Sequence, residues 1–209
     1  MARTKEFEDD LVLDRAAELF WRLGYEVVTI QDLESATGLG RGSLYNAYGD
    51  KQGLFIAAIE HYAARHSSAP LEHLGNHDVG KGIRLMLEAI IKRMNDPANP
   101  PGCLLINTSL TAGAGSAEID AIITGKAKAM EVLLVEAIKR ARAGAQIPAD
   151  SDPRQLARFY CAVAQGLAVT HKTTKDTAIL RDIVAVAMRS WPAALRKEKR
   201  PASRARQRG

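Results

Sequence analysis

The chain has 209 residues, with 29 Lys+Arg against 24 Asp+Glu, a formal charge of +5 and 46% apolar residues. That length and apolar fraction suit one or two packed domains; they exclude wholesale disorder and any need for a disulfide or metal staple. No run approaches the roughly 20 apolar residues of a membrane span, charges stand where a signal peptide has its apolar core, and the cysteines are Cys103 and Cys161 alone; together these predict a cytoplasmic protein.

Periodicity is helical along nearly the whole chain. Ala16, Leu19, Phe20 and Leu23 fall on one helical face, and Gly24 follows where a left-handed cap belongs. Thr29 can cap a short helix whose Ile30, Leu33 and Ala36 face inward, with Asp32 in its first turn. Gly38 permits a sharp turn at positive φ, and a second short helix follows, with Leu44 apolar and Arg41, Ser43, Tyr45 and Asn46 outside. Leu54, Phe55, Ala58, Ile59 and Tyr62 mark a longer helix starting near Asp50. Residues 67–77 are polar and broken, a predicted boundary between two lobes. Ile83, Leu87, Ile90, Ile91 and Met94 form the next helix, which the proline-rich stretch 96–102 stops. A short helix is expected over 103–112, then a break at Gly113-Ala114-Gly115 and a long helix to about Ala143. Asp152-Pro153 reads as a cap followed by Pro at the first helical position, opening a helix to about Thr174. Thr177 opens the last helix, which ends at Trp191-Pro192. The expected class is all-α, about nine helices.

Two short helices joined by a glycine turn and packed on a longer first helix form the helix-turn-helix plan, although spacing alone also permits an ordinary helix hairpin. In a major groove Arg can bond guanine, Asn can read adenine, and hydroxyls can take bases or phosphates. The run from Ala16 to Phe55 resembles the DNA-binding domain of the TetR family of bacterial transcriptional regulators. The matching pieces are Ala17-x-x-Leu-Phe20, Gly24-Tyr25, the stretch from Val28 to Leu33, Ala36-x-x-Gly38-Leu39, the stretch from Arg41 to Tyr45, and Lys51-x-x-Leu54-Phe55. The resemblance implies that Thr29, Tyr45, Tyr48 and Lys51 hold the phosphate backbone, while Arg41, Gly42, Ser43 and Asn46 lie at base edges. Gly40 departs from the pattern: it stands where the family has a capping hydroxyl, so the start of the second helix should be less rigid.

The implied organisation is a helix-turn-helix domain over 1–49, a connecting helix over 50–66, a ligand-binding and dimerisation domain over 67–191, and a basic disordered tail over 192–209. By the same resemblance the last two long helices pair with a second copy, through Leu156, Tyr160, Val163 and Leu167 and then Ile179, Ile183 and Ala187. A two-fold dimer would place two recognition helices in successive major grooves of double-stranded DNA and favour a pseudo-palindromic operator.

Cys103 follows the proline-rich stop and should sit at a helix N-terminus, an environment that favours the reactive thiolate. The run Pro101-Gly102-Cys103 to Thr108 is similar to one in a TetR subgroup that senses electrophiles or oxidants. Lys172 is the partner cation the same likeness implies. The alternative is a small apolar residue sealing the helix start, as free cysteines usually are. Cys103, Asn107 and Leu110, with Met86, Ile90 and Phe159, are the candidate pocket. His73 and His77 have ligand spacing only if helical, and no metal or cofactor is expected.

The expected function is a homodimeric repressor released from its operator by a small molecule, electrophile or oxidant. The alternatives are an activator, a repressor with a non-covalent lipophilic ligand, and an all-α enzyme or scaffold. The positive charge itself does not support DNA binding. Residues 1–66 carry a net −4, whereas residues 192–209 carry +6 and account for the whole surplus.

Overall fold

The computed structural model describes residues 2–111 and 117–192, with side chains from residue 9 onwards. The Gly113-Ala114-Gly115 break and the basic tail beyond Pro192 lie outside the described residues. Those residues form α1 (Ala2–Leu23), α2 (Ile30–Thr37), α3 (Arg41–Tyr48), α4 (Lys51–His66), α5 (Ser68–Glu72), α6 (Val79–Met94), α7 (Leu104–Thr111), α8 (Ala117–Ala143), α9 (Pro153–Thr174) and α10 (Thr177–Arg189). A 3-10 turn, His73–Gly75, joins α5 to α6. Among the described residues there is no strand, and no helix is long and apolar enough to cross a membrane.

Most helix ends follow from local chemistry. Thr29 and Asp32 form a capping box on α2, and the hydrogen bonds Thr29 gives Asp32 hold its carboxyl below the usual carboxylate range. Gly38 ends α2 in the left-handed region at φ 76°. Asp50, Asp78, Asp152 and Asp176 cap α4, α6, α9 and α10, and Pro153 opens α9 as expected. Stretch 67–77 corrects an expectation: it is largely helical rather than broken. Pro70 and Leu74 are buried there, and Gly82 of α6 lets the turn come so close that a Cβ would sit 2.5 Å from the His73 carbonyl oxygen.

One apolar core runs through the molecule. Phe20 of α1 packs on Phe55 of α4 with ring centroids 4.6 Å apart, and Tyr25 stacks on Phe55 at 4.8 Å. Further along α4, Tyr62 meets the edge of Trp21 at 5.0 Å. The core continues through Ile83, Met86 and Leu87 of α6 and Leu104 of α7 to Leu134, Ile138, Tyr160, Leu167 and Leu180. Burial on this scale is the main stabilising contribution of the fold.

This packing corrects three expected dimer residues. Tyr160, Leu167 and Ala187 are buried inside the chain's own lobe, and the Tyr160 hydroxyl donates to the Ala187 carbonyl. A side chain filling its own core cannot reach a second copy. The outer faces of α9 and α10 instead present Phe159, Val163, Val169, Ile179 and Val186, all exposed or half-buried.

Candidate DNA-reading face and the Cys103 site

The α2–turn–α3 unit is anchored by Leu33 and Leu44, both buried against α1 and α4. Anchoring through the inner face leaves Arg41, Gly42, Ser43 and Asn46 of α3 exposed, with Tyr45 half-buried beside them. The Arg41 guanidinium rests over the Tyr45 ring at 5.1 Å, which holds a long cationic side chain near one orientation. Thr29, at the start of α2, is exposed. Lys51 begins α4 with its ammonium 4.5 Å from the Tyr25 ring centre and 3.5 Å from the Glu26 carbonyl oxygen. Tyr48 packs partly into the core; burial, with Asp9 nearby, holds its phenol above the ordinary range.

The start of α3 is better held than Gly40 alone allows. Gly40 supplies no side-chain cap, but Glu34 reaches across the turn and accepts from the Arg41 backbone amide at 2.6 Å. A carboxylate at a helix N-terminus satisfies an otherwise orphaned donor and suits the helix dipole. The sequence concealed this cap, because its donor and acceptor lie seven positions apart on two different helices.

At the other end of α4, Cys103 is buried at 8% exposure immediately before α7, and its carbonyl accepts the Asn107 amide that begins the helix. Gly102 turns there at φ 86°, its amide donating 3.1 Å to Nδ1 of buried His171. Burial, then Lys175, pushes the His171 imidazole below its ordinary value, which keeps Nδ1 free to accept. The Tyr62 hydroxyl donates to Cys103 Sγ at 3.4 Å and accepts from Arg93 Nη1 at 2.5 Å. Burial, with Cys103 beside it, holds the Tyr62 phenol well above its usual value, so the hydroxyl keeps its proton. Burial opposes the Arg93 charge, but Tyr62 and Cys103 more than offset it, and Arg93 stays protonated.

Several pocket expectations are corrected. The cation beside the sulfur is Arg93 of α6, whose guanidinium donates to the Tyr62 hydroxyl that bonds Cys103; Lys172 is exposed, its stem lying beside Gly102. Leu110 is 65% exposed and turns away from Asn107, which is buried with its amide donating to the Pro101 carbonyl. Phe159 is 41% exposed on the outer side of α9, and Met86 fills the core. Ile90 is half-buried against that core. Tyr62 read in the sequence as one more core position, and nothing in its spacing marks the hydroxyl. Among the described residues no three His, Cys, Asp or Glu come together as a metal site.

The family described as bacterial regulatory proteins, tetR family, matches residues 12–58, and the tetracyclin repressor-like C-terminal domain matches residues 81–183. YezE, an uncharacterised HTH-type transcriptional regulator of Bacillus subtilis, is 32% identical over 90% of this chain and 98% of its own. The chain belongs to the TetR family. It is a DNA-binding transcriptional regulator of that family, all-α with an N-terminal helix-turn-helix. The HTH-type transcriptional repressor ComR of Escherichia coli is 29% identical over 91% of each chain. A solved cysteine mutant of the TetR-family regulator CifR, bound to 26-base-pair operator DNA, is 31% identical with a TM-score of 0.78, covering 88% of this chain and 96% of that one. Reduced NemR of Escherichia coli, at 20% identity and a TM-score of 0.70 over 86% of this chain and 94% of its own, shares the TetR fold.

Proposed function

We propose that this TetR-family chain acts as a homodimeric cytoplasmic repressor rather than an enzyme, released from a pseudo-palindromic operator by an electrophile or oxidant that reacts at Cys103. The exposed row on α3 supports the DNA reading: an Arg, a Ser and an Asn are held outward by a buried Leu44. Arg41, Ser43 and Asn46 read bases alongside the Gly42 backbone, while Thr29, Tyr45, Tyr48 and Lys51 take phosphates. Residues 1–49 form the reading domain, α4 connects, and 67–191 senses and dimerises. The outer faces of α9 and α10 supply the dimer surface, with Leu156, Val163, Ile179 and Ile183 retained from the sequence reading and Phe159, Val169 and Val186 added.

The observation that carries the sensing reading is the setting of Cys103 just before α7, where a phenol hydroxyl donates to its sulfur and the Arg93 guanidinium holds that hydroxyl in place. A donor held against the sulfur fixes where its lone pairs point, which suits attack on an electrophile. Footprinting and titration test the proposal together. Arg41→Ala should abolish protection of a palindromic site, and Cys103→Ser should bind that site normally yet resist release by N-ethylmaleimide. A Cys103→Ser variant released as readily as the wild type would overturn the sensing assignment.

A further inference from the structure

The Tyr62 side chain touches both Cys103 and the helices that carry the DNA-reading unit. Tyr62 is a residue of α4, the helix that begins at the DNA-reading domain with Lys51 and ends beside the sensing lobe. It is 1% exposed; its hydroxyl touches Cys103 Sγ, and its ring lies against Trp21 of α1, which is itself buried. We infer that Tyr62 is the positioning residue through which the chemical state of Cys103 reaches α4 and α1. This inference rests on the reading of Cys103 as the sensing thiol.

The two sides of Cys103 differ in how far they can yield. On the α9 side the chain is pinned. The Gly102 amide is bonded to His171, and a Cβ on Gly102 would stand only 3.3 Å from the Ala168 carbonyl oxygen and 3.1 Å from Asn107 Oδ1. The segment carrying Cys103 therefore has no room to retreat towards α9. On the other side stands the Tyr62 hydroxyl, held by Arg93. A group added to sulfur at 8% exposure must displace that hydroxyl. Because the Tyr62 ring is packed among Trp21, His66 and the core, its displacement shifts α4 rather than a lone rotamer. The sulfur also changes as an acceptor. The thioether of the adduct is a weak acceptor carrying a bulky substituent, so the hydroxyl loses its place against sulfur as well as space.

With N-ethylmaleimide as the probe, the sulfur lone pair attacks an alkene carbon. A C–S bond forms as the π bond breaks, and the neighbouring carbon takes the proton given up by the thiol. No oxidant is needed. The experiment uses a Cys161→Ser background, so that Cys103 is the only thiol, with mass spectrometry confirming one adduct and anisotropy reading operator affinity. Alkylation of this parent should weaken operator binding about tenfold or more, within the usual range of coupling between sites. In Tyr62→Phe, which keeps the ring and removes the hydroxyl, the unmodified protein should bind more weakly than the parent. Its alkylation should then change affinity by less than about threefold, because the link is already broken. Arg93→Met, which leaves the phenol without its anchor, should attenuate the response in the same direction and decides the matter should Tyr62→Phe fail to fold.

If the alkylated variants lose as much affinity as the alkylated parent, Tyr62 is not the link, and Cys103 sensing survives without it. If the parent carries the Cys103 adduct and keeps its affinity, the sensing reading itself fails and takes this inference with it.

Discussion

A single carboxylate decides how firmly α3 is presented. Glu34 accepts from the Arg41 amide at 2.6 Å, replacing the hydroxyl cap that Gly40 cannot provide. Two effects of that carboxylate oppose each other: it orders the first turn of α3, and its charge repels nearby phosphate. Glu34→Ala removes both, so stability separates them better than affinity. It should cost about 0.5–2 kcal/mol of the kind measured for lost N-caps, seen as a lower thermal midpoint by circular dichroism. Glu34→Gln keeps an acceptor and should retain most of that stability. Gly40→Ser has open space for its side chain, with nothing within 4 Å of a Cβ there, and should restore stability to Glu34→Ala by supplying the missing hydroxyl. A midpoint unchanged in Glu34→Ala would show that the cap contributes nothing. Residue-scale features like this were only half legible. The absence of a cap at Gly40 could be read from the sequence, but the substitute could not, since it comes from a neighbouring helix. The same holds for Arg93: its charge was evident, but only the packing of α6 against α4 and α7 turns it towards Tyr62 and Cys103.

At the scale of the helix, the sequence announced almost every element but not which way the last two face. Along α9, Ala157, Tyr160, Ala164, Leu167, Ala168 and His171 are buried, while Phe159, Ala162, Val163, Gly166 and Val169 lie outward. Both sets recur at helical spacing and both are largely apolar, so periodicity marks the helix without choosing between its inner and outer stripe. This is why Tyr160 and Leu167 read as interface residues although they belong to the core. The outer stripe on α9, with Ile179 and Val186 of α10, is an unusual concentration of apolar side chains for a solvated surface. Val169→Glu places a charge on it at an exposed position, away from the residues that fill the lobe. The variant should fold with a thermal midpoint near that of the wild type but sediment as a monomer at micromolar concentration. Operator affinity should fall by at least about a hundredfold, because each half-site is then bound without the effective concentration that the partner provides. A dimeric Val169→Glu protein would place the interface elsewhere.

For the whole molecule, the sign of the charge and its position lead to different expectations. The surplus of +5 suggests a protein held to DNA by many ion pairs, yet residues 1–66 carry a net −4 and the excess lies after Trp191. Among the proposed DNA contacts only Arg41 and Lys51 are cations, two per protomer and four per dimer. Lys51 is the one of these assigned to phosphate, two per dimer, and each neutralised phosphate releases condensed counterions, so the logarithm of the operator binding constant should fall with the logarithm of salt at a slope of about −2. Were the basic residues Arg196, Lys197, Lys199, Arg200, Arg204, Arg206 and Arg208 also on phosphates, the slope would be several times steeper. Titrating the full chain and a chain ending at Pro192 over about 50–400 mM salt separates these cases. Equal, shallow slopes with unchanged operator preference assign binding to the α3 face and its hydroxyl, amide and two cationic contacts. A steep slope that becomes shallow on truncation would instead give the C-terminal charge a direct part in holding DNA. In that case the charge distribution, and not only the helix-turn-helix, would set how long the repressor stays on its operator.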